Sequence, residues 1–520
     1  MVTQAYKILV DWDNNGNFTG TYDNITADVL SVQFRRGRDF ASTMEGNSTA
    51  GVLKVRLNNE SGKYSPSNTS SVLTGNIKPS KPVKFTTSSA VFPSTFPITF
   101  DENPMFTGRL ESLSPQPISQ TLDEAELVAV GPLGYINQFV PKGSINTNIY
   151  TSQAVNAILD AVGWSATERD IDTGNTVIPK YWFDSRRTID ALRLVEETEG
   201  GFIKETFDGK IAFENRLART NKTSQGTFSD ASGASISYLT IQQEDPLQSI
   251  VNTIRASVRF YSTQTIATVW ASAENGTNAN SIALVPSETK EVYARYPNGT
   301  SQSGGVAIES WTTPVVNTDF TADTTISGTS GNMNSYLTVS APTADKQANR
   351  MKIILTNTHP TATLYVSKLQ ARGTVLLQTD YIDVESVDTD SVTAYGERSY
   401  TASTPFFPNV FEAQRWANYH KQVFSSPINY LTMTFSANAN DASMEQALNR
   451  EVSDKITITA TSNANLGINS DFFIEEIKHH VSRGGTRHMV TFVLSPAIGG
   501  YSQFWELGIG KLGESTVPAY

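Results

Sequence analysis

Asp11, Asp13, Asn15 and Gly16 follow the D-x-[DN]-x-[DN]-G opening of a calcium-binding loop. The twelfth position, where a bidentate Glu closes such a loop, is Tyr22, and Asp23 comes one place late. A β-hairpin turn selects the same residue types because Asn, Asp and Gly tolerate its backbone angles. Calcium held by Asp11, Asp13 and Asn15 is one expectation and a plain turn is the other. Gly508-Ile509-Gly510-Lys511-Leu512-Gly513 has the G-x-G-x-x-G form, but no βαβ unit surrounds it and no acidic residue follows ~20 positions on. It is expected to be a tail. His479 and His480 are neighbours on an expected strand, so they point to opposite faces and do not share a metal easily. Glu196, Glu197 and Glu199 lie along a helix and are expected on its solvated face. Asp383 with Glu385, and Glu475 with Glu476, could flank a sugar bond as acid and nucleophile. No phosphate-binding loop and no G-x-S-x-G elbow occurs. No catalytic constellation is assembled, which predicts a structural protein without a catalytic cofactor.

The elements that would position these residues are mostly strands. Over 6–12, Tyr6-Lys7-Ile8-Leu9-Val10-Asp11-Trp12 is short and β-prone, with turn residues after it. Over 51–57, Gly51-Val52-Leu53-Lys54-Val55-Arg56-Leu57 alternates apolar and charged residues, which buries one face and wets the other. The stretches 82–85 and 106–113 alternate in the same way. Residues 1–114 therefore predict a small antiparallel β-barrel or sandwich. Residues 115–262 predict an α+β domain. Thr151 or Ser152 would cap a helix carrying Val155, Ile158, Leu159 and Val162 up to Gly163. A second helix is expected over 185–199, stopped by Gly200-Gly201. A hairpin follows, with Asp208-Gly209 between Phe202-Ile203-Lys204-Glu205 and Lys210-Ile211-Ala212-Phe213.

Over 263–372 the composition turns to Ser, Thr, Asn and Gly, with turns such as Pro297-Asn298-Gly299. This predicts an inserted β-sandwich. Residues 373–429 return to the host domain, with a helix capped by Asn409 and supported by Glu412. Residues 430–500 predict a second barrel of the same style as the first, and 501–520 a C-terminal tail. The shared style points to an internal duplication.

The whole chain has 520 residues, 38% hydrophobic and 18% charged, enough for several cores. Its net charge of -11 argues against a general nucleic-acid-binding surface. There is no cysteine, so disulfides and thiolate sites are excluded. Residues 1–10 lack the pattern of a signal peptide, and no apolar run reaches the ~20 residues of a membrane helix. The Asn-x-Ser/Thr triplets at Asn24, Asn47, Asn68 and Asn298 therefore carry no weight as glycosylation sites.

Several short motifs occur in a recognisable order. Val55-Arg56-Leu57-Asn58-Asn59 leads to Gly62-Lys63-Tyr64-Ser65-Pro66, then Leu73-Thr74-Gly75-Asn76-Ile77-Lys78-Pro79, Pro82-Val83-Lys84-Phe85 and Phe106-Thr107-Gly108-Arg109-Leu110. Further on come Tyr150-Thr151-Ser152, Gly163-Trp164, Asp208-Gly209-Lys210-Ile211-Ala212-Phe213, Leu369-Gln370-Ala371-Arg372-Gly373-Thr374 and Tyr395-Gly396-Glu397-Arg398. In this order they resemble the tail-tip or baseplate hub proteins of tailed bacteriophages. The resemblance covers most of the chain outside the insertion. It implies two tube-type β-barrels per chain and a homotrimer that adapts a sixfold tail tube to a threefold tip. It also implies a virion location, with tail tube and distal tail proteins above, tip, fibre or spike proteins below, and a tape measure protein nearby. DNA would pass through the channel without specific binding. Two other readings stand beside it. The sandwich could bind cell-surface glycan through Trp270, Tyr293, Tyr296 and Trp311, or those aromatics could form its core. A tail-associated glycosidase would instead use the carboxylate pairs.

Overall fold

A computed structural model describes residues 5–39, 47–88, 102–119, 122–183, 185–220, 222–243, 250–272, 282–296, 305–329, 331–428, 430–462, 466–497, 504–505 and 517–518. The turn at 297–299, including Asn298, and the glycine motif at 508–513 lie outside these residues. The chain is mainly β with α+β parts, divided among several sheets, as its patterning predicts.

Among the described residues, twelve strands join into one large sheet made of two six-stranded halves. The first half contains β1 (Tyr6–Val10), β2 (Val29–Asp39), β3 (Asn47–Asn58), β4 (Pro82–Ser88), β5 (Glu102–Ser119) and β6 (Leu122–Val130). Their spatial order is β1-β4-β5-β6-β3-β2. The alternation seen over 51–57 lies in β3, where Leu53, Val55 and Leu57 turn inward. They meet Ile8, Val10, Phe85, Phe106 and Leu127 in one apolar core.

Between the halves lies an α+β unit. It holds α1 (Pro132–Ile136), α2 (Thr151–Ala161), α3 (Thr188–Glu199) and the hairpin of β7 (Phe202–Glu205) with β8 (Ile211–Glu214). The hairpin predicted around Asp208-Gly209 forms, and Gly209 takes the left-handed φ of 86° that its turn requires. Helix α3 stops at Gly200, also left-handed, as its sequence predicts. Thr151 does not cap α2. It is already inside the helix, and its hydroxyl donates to Glu199 instead.

The second half contains β9 (Ser224–Ser229), β10 (Thr240–Gln243), β13 (Leu431–Ser436), β14 (Lys455–Ala460), β15 (Ile468–Ser482) and β16 (Arg487–Pro496). Its order is β9-β14-β15-β16-β13-β10. Ranked by chain position within each half, both orders read 1-4-5-6-3-2. The fifth strand is the longest in each, with 18 residues in β5 and 15 in β15. One pairing differs: β1 meets β4 antiparallel, whereas β9 meets β14 parallel.

These ranges depart from the boundaries drawn on sequence. A boundary at 114 cuts through β5, and β6 belongs to the same sheet. The second half begins at Ser224, not at 430, because β9 and β10 are separated in sequence from the four strands they join. What lies between β10 and β13 is a ribbon of β11 (Thr253–Thr263) and β12 (Leu364–Val387), paired from Thr253↔Val387 to Thr263↔Leu376. The ribbon carries the Ser/Thr-rich insertion, whose sheets share a core with Leu284, Met351, Ile353, Leu355 and Val366. Beyond it come α4 (Thr389–Tyr395) and α5 (Val410–Phe424), the latter capped by Asn409, whose side chain accepts from Glu412 N at 2.9 Å. Helix α6 (Asp441–Asn449) connects β13 to β14.

The halves join through β2 and β15, antiparallel from Ser31↔Ser482 to Gly37↔Glu476. Gly37 has φ 147°, and a Cβ there would sit 2.4 Å from Glu475 O and 2.5 Å from Glu476 Cα. Both are backbone atoms that cannot swing aside. Gly37→Ala is expected to cost about 2 kcal/mol or more of stability, read as a lowered urea midpoint. A midpoint equal to that of the parent would show that the join tolerates a wider strand spacing.

Candidate functional site: the junction of the two half-sheets

Where β2 meets β15, three polar rings cross from one half to the other. Tyr6 Oη lies 2.8 Å from His488 Nδ1, and His488 Nε2 lies 2.8 Å from His479 Nδ1. Phe34 of β2 stacks on His479 at 4.2 Å with an 8° tilt. One consistent proton assignment has the Tyr6 hydroxyl donating to His488, and the His488 Nε2–H donating to His479. Burial pushes the Tyr6 phenol up, and pushes both imidazoles down, His488 to about 3. The rings are therefore neutral. His480, next in sequence, faces solvent, so the two adjacent histidines do point opposite ways.

Below the rings lies a layer of buried charges centred on the β7–β8 hairpin. Arg219 holds Glu475 of β15 in a two-point pair at 2.6 and 3.0 Å, and its guanidinium lies 3.9 Å from the centroid of the Phe202 ring. Burial raises the Glu475 carboxyl, but the charge and hydrogen bonds of Arg219, the charge of Arg38 and the Ser495 hydroxyl together outweigh it and the carboxyl is held low. Arg36 of β2 pairs with Glu451 at 2.9 Å, and Arg38 with Glu196 at 3.0 Å. Lys204 and Lys222 both reach Glu214. Glu205 accepts from Leu133 N at 2.6 Å and Gly51 N at 2.8 Å. Burial dominates there and pushes its carboxyl up to about 7.

Helix α3 corrects one sequence expectation. Glu196, Glu197 and Glu199 are buried, not solvated. Glu196 also accepts from Ile203 N, and Glu197 accepts from Ser403 N, Thr404 N and the Tyr400 hydroxyl. Glu199 accepts from Thr151, Asn175 and Thr176 and pairs with Arg216. A charge run reads as a solvated face only when nothing nearby can pair with it. Here the partners come from segments distant in sequence, which no local pattern reveals.

The other sequence candidates do not gather into a site. Asp11 is buried, and its oxygens accept from Asn15 N at 3.1 Å and Gly16 N at 2.9 Å. Asp13 accepts from the Asn15 side chain, and Asp23 from Gly20 N. The loop thus closes on its own amides, as a turn does. Among the described residues no group of three or more His, Asp or Glu side chains is placed to hold a metal. Tyr296 and Trp311 sit in the core of the insertion, Trp270 packs against that core half-buried, and only Tyr293 is exposed, beneath Arg350. They form no common stacking face. Glu475 is bound to Arg219, Glu476 lies 2.8 Å from Lys478, and Glu385 lies 2.7 Å from Arg255. The Ser257 hydroxyl donates to Asp383.

Removing one partner of the Arg219–Glu475 pair strands the other charge, at an expected cost of about 3–5 kcal/mol. Arg219→Met should lower the urea midpoint far more than Arg219→Met combined with Glu475→Leu. Equal losses would mean that charge burial is not what the pair contributes.

Acid acts on the junction with two signs. The histidines contribute fully above about pH 6.5 and lose that contribution as pH falls, His488 as pH approaches 3, at a cost on the order of 5 kcal/mol. Glu205 contributes fully below about pH 4.5 and loses its contribution as pH rises through 7. Between pH 7 and pH 5, Glu205→Gln should therefore lose stability more steeply than the parent. The double change His479→Phe, His488→Phe should lose less. Parallel profiles for all three proteins would remove both assignments.

No family model matches the chain, and no curated protein matches its sequence. Solved structures do match its fold. The tail protein from Neisseria meningitidis MC58 aligns with a TM-score of 0.51 at 9% identity, covering 96% of this chain and 98% of that one. The 43 kDa tail protein of prophage MuSo2 from Shewanella oneidensis aligns at 0.47 and 7% identity, over 95% and 98% of the two chains. The c3393 protein of E. coli, a component of the type VI secretion system similar in structure to the T4 bacteriophage tail proteins gp27 and gp5, aligns at 0.39 and 8%, over 91% and 75%. At such identities the likeness speaks of fold, and the chain shares the fold of the Neisseria tail protein, as its motif order leads one to expect.

Proposed function

We propose that this chain is a structural hub of a bacteriophage tail tip or baseplate. It works as a homotrimer that adapts a sixfold tail tube to a threefold tip and surrounds the DNA channel. The observation that supports this reading is the repeated strand order of the two half-sheets, set edge to edge in one chain. Three such chains carry six like units on one side, while the unlike parts, the α+β unit and the insertion, occur three times. Tail tube and distal tail proteins would meet the six units. Tip, fibre or spike proteins would meet the threefold face, and the tape measure protein would end nearby. A net charge of -11 suits a channel through which DNA slides without sticking.

The role requires no catalysis, and the carboxylate pairs considered for sugar cleavage already hold cations or hydroxyl donors. A glycan-binding role for the insertion draws no support from its aromatics, two of which are core residues. Native mass spectrometry of the purified chain is the direct test, with three copies expected. A monomer at every accessible concentration sinks the adaptor reading.

A further inference from the structure

The join between the halves follows a rule that the chain applies only once within itself. In the second half, β14 pairs with residues 468–473 of the long fifth strand β15, leaving the rest of that edge protruding. The protruding part, residues 476–482, accepts β2, which is the second-ranked strand of the first half. The first half has the same overhang. Strand β4 pairs with residues 102–109 of β5, and the 80–81 turn continues the contact to Leu110. Past Leu110, no described strand pairs with that side of β5. The second half has the matching donor. Strand β10 is its second-ranked strand, paired on one side to β13 and at the end of the sheet on the other.

We infer that β10 of one copy pairs antiparallel with the protruding part of β5 in the next copy, repeating between chains the join that β2 and β15 make within one. This rests on the trimeric reading above and names the strands that close its ring. A head-to-tail contact of this kind closes when the rotation brings the last copy back to the first. Two details fit. Pro115 and Pro117 carry no N–H, so a ladder along β5 ends near them. The stretch left, residues 111–114, matches the four residues of β10. Leu239, just before β10, is 61% exposed while Tyr238 and Ile241 on either side of it pack on the core, leaving an apolar side chain at an edge that a neighbouring strand would cover.

The chain has no cysteine, so an introduced pair is the sole source of disulfides. Gln242→Cys combined with Ser112→Cys, and separately with Ser114→Cys, is oxidised in the full-length protein and run without reductant. Covalent species of two and three copies, and none larger, are expected from at least one pair. Thr434 O accepts from Leu239 N and so faces β10; with Thr240↔Thr434 and Gln242↔Thr432 in register, the N–H groups of Thr240 and Gln242 face β13, and those of Ile241 and Gln243 face the free edge. Gln243→Pro, which removes a free-edge N–H, should then shift the native mass from three copies to one while leaving the thermal melt in place. A trimer that resists cross-linking by both pairs and survives Gln243→Pro overturns this strand assignment and leaves the hub reading intact. A monomeric parent overturns both. A covalent ladder running past three copies overturns ring closure.

Discussion

The overhang of a long fifth strand beyond its shorter neighbour is the constraint on which the architecture turns. In β15 that overhang leaves seven residues with an unpaired edge, and unpaired backbone groups at a sheet edge are both costly and adhesive. Strand β2 satisfies them. Because side chains alternate with period two, this pairing also fixes which residues of each half turn inward. Phe34 then falls on His479, and Tyr6 on His488, so the register of one ladder determines the contents of the seam.

A single ladder between two curved sheets is a hinge unless something holds it from below. The β7–β8 hairpin supplies that support with charge, where apolar contact alone would tolerate sliding. Arg219 binds β15 through Glu475, Arg36 of β2 reaches both Glu451 and the backbone of Glu205, and Glu205 itself binds amides of β3 and α1. Buried ion pairs add little net stability over apolar packing, but each is punishing when misaligned. A slip of one residue would leave several charges unpaired at once. The layer therefore acts mainly on register, which is what a rigid connection between two repeating units needs.

Much of this was legible in the sequence where the signal is local. The alternation in β3, the Asp208-Gly209 turn, the Asn409 cap and the glycine stop at 200 depend on near neighbours, and each forms as the residue types dictate. What failed was non-local. Strands β9 and β10 are short and polar, with one buried side chain, Phe228, between them, so nothing nearby marks them as members of a sheet completed some two hundred residues later. The glutamates of α3 read as a wet face because their partners, Arg38, Arg216 and the backbone at 403–404, lie far off in sequence. The His479–His488 contact is likewise cross-strand, and neither histidine has a motif around it.

The two halves keep the same strand order but not the same surroundings, and the pattern of difference is informative. Between the second and third strands the first half has residues 40–46, whereas the second half has the ribbon, the insertion and two helices. The first-ranked strand is antiparallel in one half and parallel in the other. Neither departure involves β2 or β15, the strands that pair across the join. The elements that make the join, namely the second strand, the third that backs it and the overhanging fifth, are alike in order and direction in both halves. That distribution is what a chain must keep if its two unlike halves are to occupy equivalent places in one ring.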